Sequence, residues 1–122
     1  MIRIISFGHK YGQAPEAVAS FDVRDLWNPF KDENLRPMNG TDKKVQDALF
    51  DQETARKKAH DIAEFARVLN DIGGFPDYTI TIGCTGGQHR SVAVAERVAQ
   101  VLATTGCKSI VYHREQESWH GC

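Results

Sequence analysis

Nine consecutive residues, Gly83 to Ser91, carry the side chains with the most evident chemistry. They read Gly-Cys-Thr-Gly-Gly-Gln-His-Arg-Ser. The two central glycines allow backbone conformations in which several N–H groups point at one anion. Arg90 adds a permanent bidentate donor, Ser91 a hydroxyl, and His89 an imidazole that changes charge near neutral pH. This combination is typical of a loop that binds phosphate.

The loop is expected to join a strand to a helix in a parallel sheet. Tyr78 to Ile82 is rich in β-branched residues and predicts a buried strand that runs directly into the loop. Val92 to Leu102 has apolar residues at helical spacing, and Ser109 to Tyr112 predicts another strand. A strand, helix and strand in this order form a right-handed unit with parallel strands. Ligands bind beyond the carboxyl ends of such strands, where the helix N-terminus favours an anion.

Two further strands are expected in the N-terminal part of the chain. They are Ile2 to Ser6 and Ala17 to Val23. Residues 26–40, which contain Pro29 and Pro37, follow as a long irregular segment. Irregular segments of this length are uncommon in compact domains and tend to be functional.

Two helices are expected before the strand that leads into the loop. Thr41 is a favourable N-cap for the first, and apolar residues at helical spacing place the second from about Gln52 to Asn70. Gly73-Gly74 is expected to end the second helix, and Pro76 to prevent its continuation. The whole pattern predicts a three-layer α/β domain, with a mainly parallel four-stranded sheet and helices on its faces.

Length and composition restrict the class of protein. The chain has 122 residues, 41% of them hydrophobic and 25% charged, and a formal net charge of −1. These values fit one soluble domain, residues 1–122, without global attraction to nucleic acid or anionic membrane. Cys84, Cys107 and Cys122 cannot all pair, and the sequence predicts neither a signal segment nor a membrane span. The expected location is therefore the cytoplasm, with no membrane partner.

An enzymatic interpretation of the loop stays open. Cys84, Arg90 and Ser91 match the Cys-x5-Arg-Ser/Thr pattern of cysteine-dependent phosphatases, in which a thiolate attacks phosphorus. A helix N-terminus and an adjacent arginine would stabilise such a thiolate. Against this interpretation, Gly83 stands where those enzymes usually have histidine. A general acid would have to come from one of three aspartates, Asp22, Asp25 or Asp42.

A metal site is a weaker interpretation. Cys84, His89 and His113 are suitable ligand types, but they lack the spacing of a zinc site. A glycine-rich loop is also a poor rigid scaffold for a metal. Neither a metal nor a cofactor is predicted.

Four segments together resemble the C-terminal domain of the RapZ family, the RNase adapter proteins of bacteria. They are Ser6 to Gly12, Phe21 to Pro29, Leu35 to Asp42 and Ile82 to Val92, in this order over nearly the whole chain. The Gly-Cys-Thr-Gly-Gly-x-His-Arg-Ser pattern is the most characteristic part. The resemblance implies an α/β fold like a phosphofructokinase subdomain, binding of small regulatory RNA, and a link to sensing of glucosamine-6-phosphate.

Two departures from the family pattern change what is expected. Full-length members carry an N-terminal Walker-type nucleotide-binding domain, and the G-x-x-x-x-G-K-[ST] pattern does not occur in this sequence. No ATPase or GTPase activity of that kind is expected. Members that act as RNA adapters end in a basic tail, whereas residues 113–122 contain one arginine and two glutamates, with His120 expected in a loose tail. Because RNA affinity grows with the number of cations placed on phosphates, the prediction of an anion pocket is stronger than that of RNA binding.

The function predicted from the sequence is therefore that of a phosphate-binding sensor or adapter module. Its expected ligand is a phosphosugar such as glucosamine-6-phosphate, a nucleotide or the phosphate of a small RNA, and the resemblance also implies self-association. Basic residues of other loops are expected to join the glycine-rich loop, because parallel strands end at the same edge of the sheet. The predicted ligand-binding residues are Cys84, Thr85, Gly86, Gly87, Gln88, His89, Arg90, Ser91, His9, Lys10, Arg24, Arg36, His113 and Arg114.

Overall fold

The fold is a parallel sheet packed against helices, and the computed structural model describes residues 1–73 and 77–120 of it. The strands are β1 (Ile2–Gly8), β2 (Ala19–Asp22), β3 (Tyr78–Cys84) and β4 (Ser109–His113). The α-helices are α1 (Lys43–Phe50), α2 (Glu53–Ile72) and α3 (Arg90–Thr104). The four strands are all parallel, in the order β2-β3-β1-β4. The predicted parallel four-stranded α/β fold is confirmed, and its arrangement is consistent with three layers.

The hydrophobic core lies between the sheet and the helices. Ile4 on β1 and Ile80 and Ile82 on β3 belong to this core, and each is completely buried. Complete burial of such a side chain stabilises the fold by about 1.5–3 kcal/mol. Helix α3 contacts β1, β3 and β4, and every residue from Arg90 to Ala95 is buried. The N-terminal end of α3 therefore lies inside the protein, covered by loops.

The central strands extend further than the sequence predicts. Phe7 pairs with Gly83, and Gly8 pairs with Cys84. The pairing of β1 with β3 therefore continues to the beginning of the glycine-rich loop. A Cβ atom on Gly83 would lie 2.4 Å from the ring of Phe7, which explains the glycine at this position. Strand β1 lies between β3 and β4, and this order brings the segment after β1 beside the loop.

The helix boundaries also differ in detail. Thr41 was predicted as the N-cap of α1, which is wrong: Asp42 occupies that position. The Thr41 N–H and hydroxyl instead donate to Oδ1 of Asn39, at 2.8 and 2.5 Å. Helix α2 ends at Gly73, which has a φ of 78°, a conformation that favours glycine. Gly74 and Pro76, the other predicted stop signals, lie outside the described residues.

No helix within residues 1–73 and 77–120 is long and apolar enough to cross a membrane.

Candidate phosphate-binding site

A cavity of about 380 Å³ lies beside the glycine-rich loop, at the carboxyl ends of β1 and β3. Its lining comes from the loop, the segments after β1 and β2, and the C-terminal segment. The lining residues are Lys10, Tyr11, Asn28, Phe30, Cys84, Thr85, Gly86, Gln88, His89, Arg90 and His120. Lys10 and Arg90 carry positive charge, and no aspartate or glutamate is among these residues. The charges of the lining therefore favour an anion.

Three carbonyl groups of the loop accept hydrogen bonds from three separate segments. The bonds are Lys10 N–H to the Thr85 carbonyl (3.1 Å), Gly40 N–H to the Gln88 carbonyl (2.8 Å), and Trp119 Nε1–H to the Gly87 carbonyl (2.8 Å). In a planar trans peptide group, the C=O and the next N–H point in opposite directions. Each bond therefore turns the following N–H away from the anchoring segment.

The N–H groups oriented in this way belong to Gly86, Gln88 and His89. None of the three donates a hydrogen bond within the described part of the chain. They lie immediately before α3, whose N-terminus carries a partial positive charge. Free N–H groups at a helix N-terminus are the usual elements of an anion site.

Cys84 lies at the base of the loop and also contributes to the cavity lining. Its side chain is 2% exposed, and its sulfur accepts the Gly87 N–H at 3.2 Å. The Ser91 hydroxyl lies 3.1 Å from the same sulfur. Gly87 has a φ of 70°, and a Cβ atom there would lie 2.7 Å from the backbone N of Gly8. The sulfur and the close approach of β1 together fix the shape of the loop.

The side chains of Gln88, His89 and Arg90 hold the irregular segment after β2 against the site. Their acceptors are the carbonyl groups of Met38 (from Gln88), Leu35 and Arg36 (from His89), and Arg24 and Leu26 (from Arg90). Only Nη1 of Arg90 makes these bonds, so within the described residues its Nε and Nη2 atoms keep N–H groups for a ligand. Three residues predicted to bind ligand therefore also bind the backbone around the cavity.

Two predicted arginines are engaged outside the cavity lining. Arg24 forms a bidentate ion pair with Asp22, with 2.7 Å between Nη2 and Oδ2. The hydrogen bond from Arg24 lowers the pKa of Asp22 to about 2. Arg36 donates from Nε to the Phe30 carbonyl at 2.9 Å, and its guanidinium lies 4.7 Å from the centre of the Phe30 ring. Arg36 thus contacts a residue of the lining without being part of it.

The other predicted residues outside the lining support the ends of the strands. The ring of His9 packs edge-on against Phe7, with 4.8 Å between centroids, and its Nε2 is buried without a hydrogen bond in the described residues. Arg114 also lies over Phe7, and its Nη1 donates to the Gln13 carbonyl at 2.6 Å. Of the basic residues expected to converge, the structure brings Lys10 and Arg90 to the cavity.

The expectation of a loose tail is wrong for the described part of the C-terminal segment. The backbone N–H of His120 donates to Oε1 of Gln88 at 3.1 Å, and its carbonyl accepts from Nε2 of the same side chain at 3.2 Å. Sequence reasoning also missed Tyr11, Asn28 and Phe30 of the lining. Tyr11 and Asn28 lie within segments that resemble the RapZ family, which was the available signal.

His113 lies under this C-terminal segment. Its Nδ1 is 2.6 Å from the Ser6 hydroxyl, and its ring centroid is 5.6 Å from that of Trp119. The Glu96 carboxylate approaches Nε2 at 3.8 Å, yet burial dominates and lowers the pKa of His113. Burial likewise lowers the pKa of His89, against the opposing effect of the Leu35 and Arg36 carbonyls. Both imidazoles are therefore mainly neutral at pH 7.

The folded protein is expected to lose stability as the pH falls below about 6.5. The lowered pKa values of His89 and His113 mean that the unfolded chain binds protons that the folded protein does not. This contribution to the free energy of unfolding is complete above pH 6.5 and decreases until the folded pKa values are passed. Burial raises the pKa of Glu96, and the opposing contribution of this carboxyl to stability is lost as the pH rises above its usual range.

Denaturant unfolding between pH 8 and 5.5 measures this loss, and NMR titration assigns it to the two imidazoles. A pKa at or above 6.5 for both in the folded protein would contradict the expectation.

Fold and site define an α/β domain with a glycine-rich loop at the N-terminus of a buried helix. The model of the RapZ C-terminal domain family matches residues 1–117, and the chain belongs to this family. The resemblance inferred from the four sequence segments is confirmed.

Several relatives carry the name nucleotide-binding protein. The relative from Desulfovibrio desulfuricans is 44% identical over 119 residues, which cover 95% of this chain and 38% of the relative. The relative from Carboxydothermus hydrogenoformans is 41% identical, with 95% and 41% covered. The chain thus spans about two fifths of the length of these relatives. The name nucleotide-binding protein was given to these longer relatives as whole proteins.

Proposed function

We propose that this domain binds a phosphorylated small molecule, with the phosphate held by the glycine-rich loop. The observation that carries the proposal is that three loop N–H groups have no acceptor within the described residues, while the carbonyl of each of the same peptide groups is held by another segment. These donors lie at the N-terminus of α3, beside the Nε and Nη2 N–H groups of Arg90, which donate to no acceptor among the described residues. Such an arrangement favours phosphate binding. The protein fixes the orientation of the donors before the ligand arrives, so binding does not have to include the free-energy cost of ordering them.

The rest of the cavity suits an organic group attached to the phosphate. Its volume of about 380 Å³ is much larger than a phosphate requires. Tyr11 and Phe30 supply aromatic surface, and both are partly exposed, at 43% and 49%. Asn28 adds an amide that can bind hydroxyl or base edges. A phosphosugar, as the family resemblance implies, and a nucleotide, as the name of the relatives suggests, are the two ligand types to compare.

Calorimetric titration with glucosamine-6-phosphate, adenosine monophosphate, glucosamine and inorganic phosphate tests the proposal. We expect a phosphorylated probe to bind at least tenfold more tightly than its unphosphorylated parent. Arg90→Ala should abolish this binding, since it removes a bidentate donor and the support of the Arg24 and Leu26 carbonyls. Wild-type protein that binds none of the phosphorylated probes would refute the proposal.

Two further variants separate loss of ligand contact from loss of fold. Arg97→Ala is the matched control, because Arg97 lies on the same helix but packs over Phe50, away from the cavity. Lys10→Ala removes the ammonium group with its alkyl chain and its contact with the Tyr11 ring, but it keeps the hydrogen bond to Thr85, which comes from the backbone N–H. We expect unchanged binding in the first variant and weakened binding with normal thermal unfolding in the second.

The same experiments distinguish the two alternative functions. Binding of RNA phosphate would depend steeply on salt and would tolerate loss of the small-molecule cavity. A cysteine-dependent phosphatase would hydrolyse the phosphorylated probe, and Cys84→Ser would stop hydrolysis while binding persisted. The Cys84 sulfur donates to the Ser91 hydroxyl at 3.1 Å, as a thiol does, and Arg90 uses Nη1 for backbone carbonyls. Binding without turnover is therefore the function that we propose.

A further inference from the structure

Trp119 differs from the other two anchors of the loop in that it donates from its side chain. The anchors at Thr85 and Gln88 are backbone N–H groups, of Lys10 and Gly40. The Gly87 carbonyl instead depends on one side-chain donor, the indole Nε1–H of Trp119 at 2.8 Å. The indole side chain has a single polar hydrogen, so this bond uses the whole hydrogen-bonding capacity of the Trp119 side chain.

The peptide group between Gly87 and Gln88 needs such an anchor more than its neighbours do. Gly87 has no Cβ, and its φ of 70° lies in a region where glycine is conformationally permissive. The plane of the following peptide group is therefore not fixed by local sterics. If it turned over, its N–H would point toward Trp119 and its carbonyl toward the phosphate site, where an oxygen would repel an anion.

The position of Trp119 is itself fixed by the fold. Its ring packs on His113 at the end of β4, with 5.6 Å between centroids and 46° between planes. Its backbone N–H donates to the Gln116 carbonyl at 3.2 Å. The next residue, His120, exchanges two hydrogen bonds with the Gln88 side chain. The indole therefore approaches the loop from the side opposite the Gln88 N–H.

We propose that Trp119 is a positioning residue of the phosphate site, which keeps the Gln88 N–H directed at the ligand by holding the Gly87 carbonyl. This role rests on the proposed function of the loop. It also implies reciprocity: a bound phosphate strengthens the contact between Trp119 and the loop by the same factor by which that contact strengthens phosphate binding. Residues 116–120 thus form a strap that is expected to tighten when the site is occupied.

Trp119→Phe is the decisive variant, because it removes the indole N–H and keeps an aromatic ring against His113. We expect the affinity for glucosamine-6-phosphate and for inorganic phosphate to fall about five- to tenfold, the effect of one hydrogen bond. Trp27→Phe is the matched control, since Trp27 is outside the cavity lining and makes no hydrogen bond in the described residues. Its affinities should equal those of the wild type.

A spectroscopic measurement separates positioning from simple stabilisation. In the Trp27→Phe protein, the only indole N–H signal in the ¹⁵N–¹H NMR spectrum is that of Trp119. We expect this signal to shift on addition of phosphate and to exchange more slowly with solvent. Lower stability of Trp119→Phe with unchanged affinities would overturn the positioning role and leave the proposed function intact. If the wild type binds none of glucosamine-6-phosphate, adenosine monophosphate and inorganic phosphate, the proposed function fails and this role fails with it.

Discussion

Replacement of Gly8 by alanine is expected to destabilise the fold by about 1–3 kcal/mol and to abolish phosphate binding. A Cβ atom on Gly8 would lie 2.6 Å from the Gly86 carbonyl carbon and 2.8 Å from the Gly87 nitrogen. Both are backbone atoms, so no side chain can rotate to relieve the overlap. Gly8 has a φ of −115°, an ordinary extended value, and the expected effect is therefore purely steric. The end of β1 and the loop would have to separate.

Gly86→Ala provides the matched control for the stability measurement. A Cβ atom on Gly86 meets no atom within 4 Å, and Gly86 is not among the glycines with positive φ. We expect its free energy of unfolding to stay within about 0.5 kcal/mol of the wild type. Urea denaturation compares the two variants, and titration with inorganic phosphate follows for those that fold. Equal stabilities would show that the contact between β1 and the loop is easily displaced.

Glu115→Ala is expected to cost about 2–3 kcal/mol of stability and to disorder the loop. The Glu115 side chain is 7% exposed, and its Oε2 accepts the Gly8 N–H at 2.8 Å and Nε of Arg114 at 2.8 Å. Alanine would leave the buried Gly8 N–H without its acceptor and the Arg114 guanidinium without its counter-charge. It would also empty the space beside Gly87, where the Glu115 Cγ lies.

Glu115→Gln separates the two contributions to this loss. A glutamine has nearly the same shape, and its amide oxygen can still accept the Gly8 N–H, while the negative charge is gone. We expect about half of the loss in this variant, measured by urea denaturation at pH 7. If glutamine and alanine destabilised the protein equally, the charge opposite Arg114, rather than the acceptor for Gly8, would be the important feature.

The sequence by itself determined the strands, the helices and the place of the candidate site. Each of these depends on residues that are close together along the chain. The β-branched run of Tyr78 to Ile82, the glycines after it and the helical spacing from Val92 onward suffice to predict a loop at a helix N-terminus. Sequence patterns were less accurate for boundaries, since β1 and β3 continue to Gly8 and Cys84 through pairing with each other.

Only the tertiary structure decided which polar groups face the cavity and which hold it together. The sequence predicts both Arg24 and Arg90 as ligand-binding residues. In the structure, Arg24 forms an ion pair with Asp22, whereas Arg90 lies in the cavity lining. Glu115 contacts Gly8 across 107 residues of chain, and Trp119 reaches Gly87 across 32. Such contacts leave no periodic signal, because they depend on the strand order that brings the ends of β1, β3 and β4 together. The residues of the loop could be predicted as a candidate phosphate site from the sequence. The groups that hold the loop carbonyls could not, because they come from distant segments that only the packing of the chain brings together.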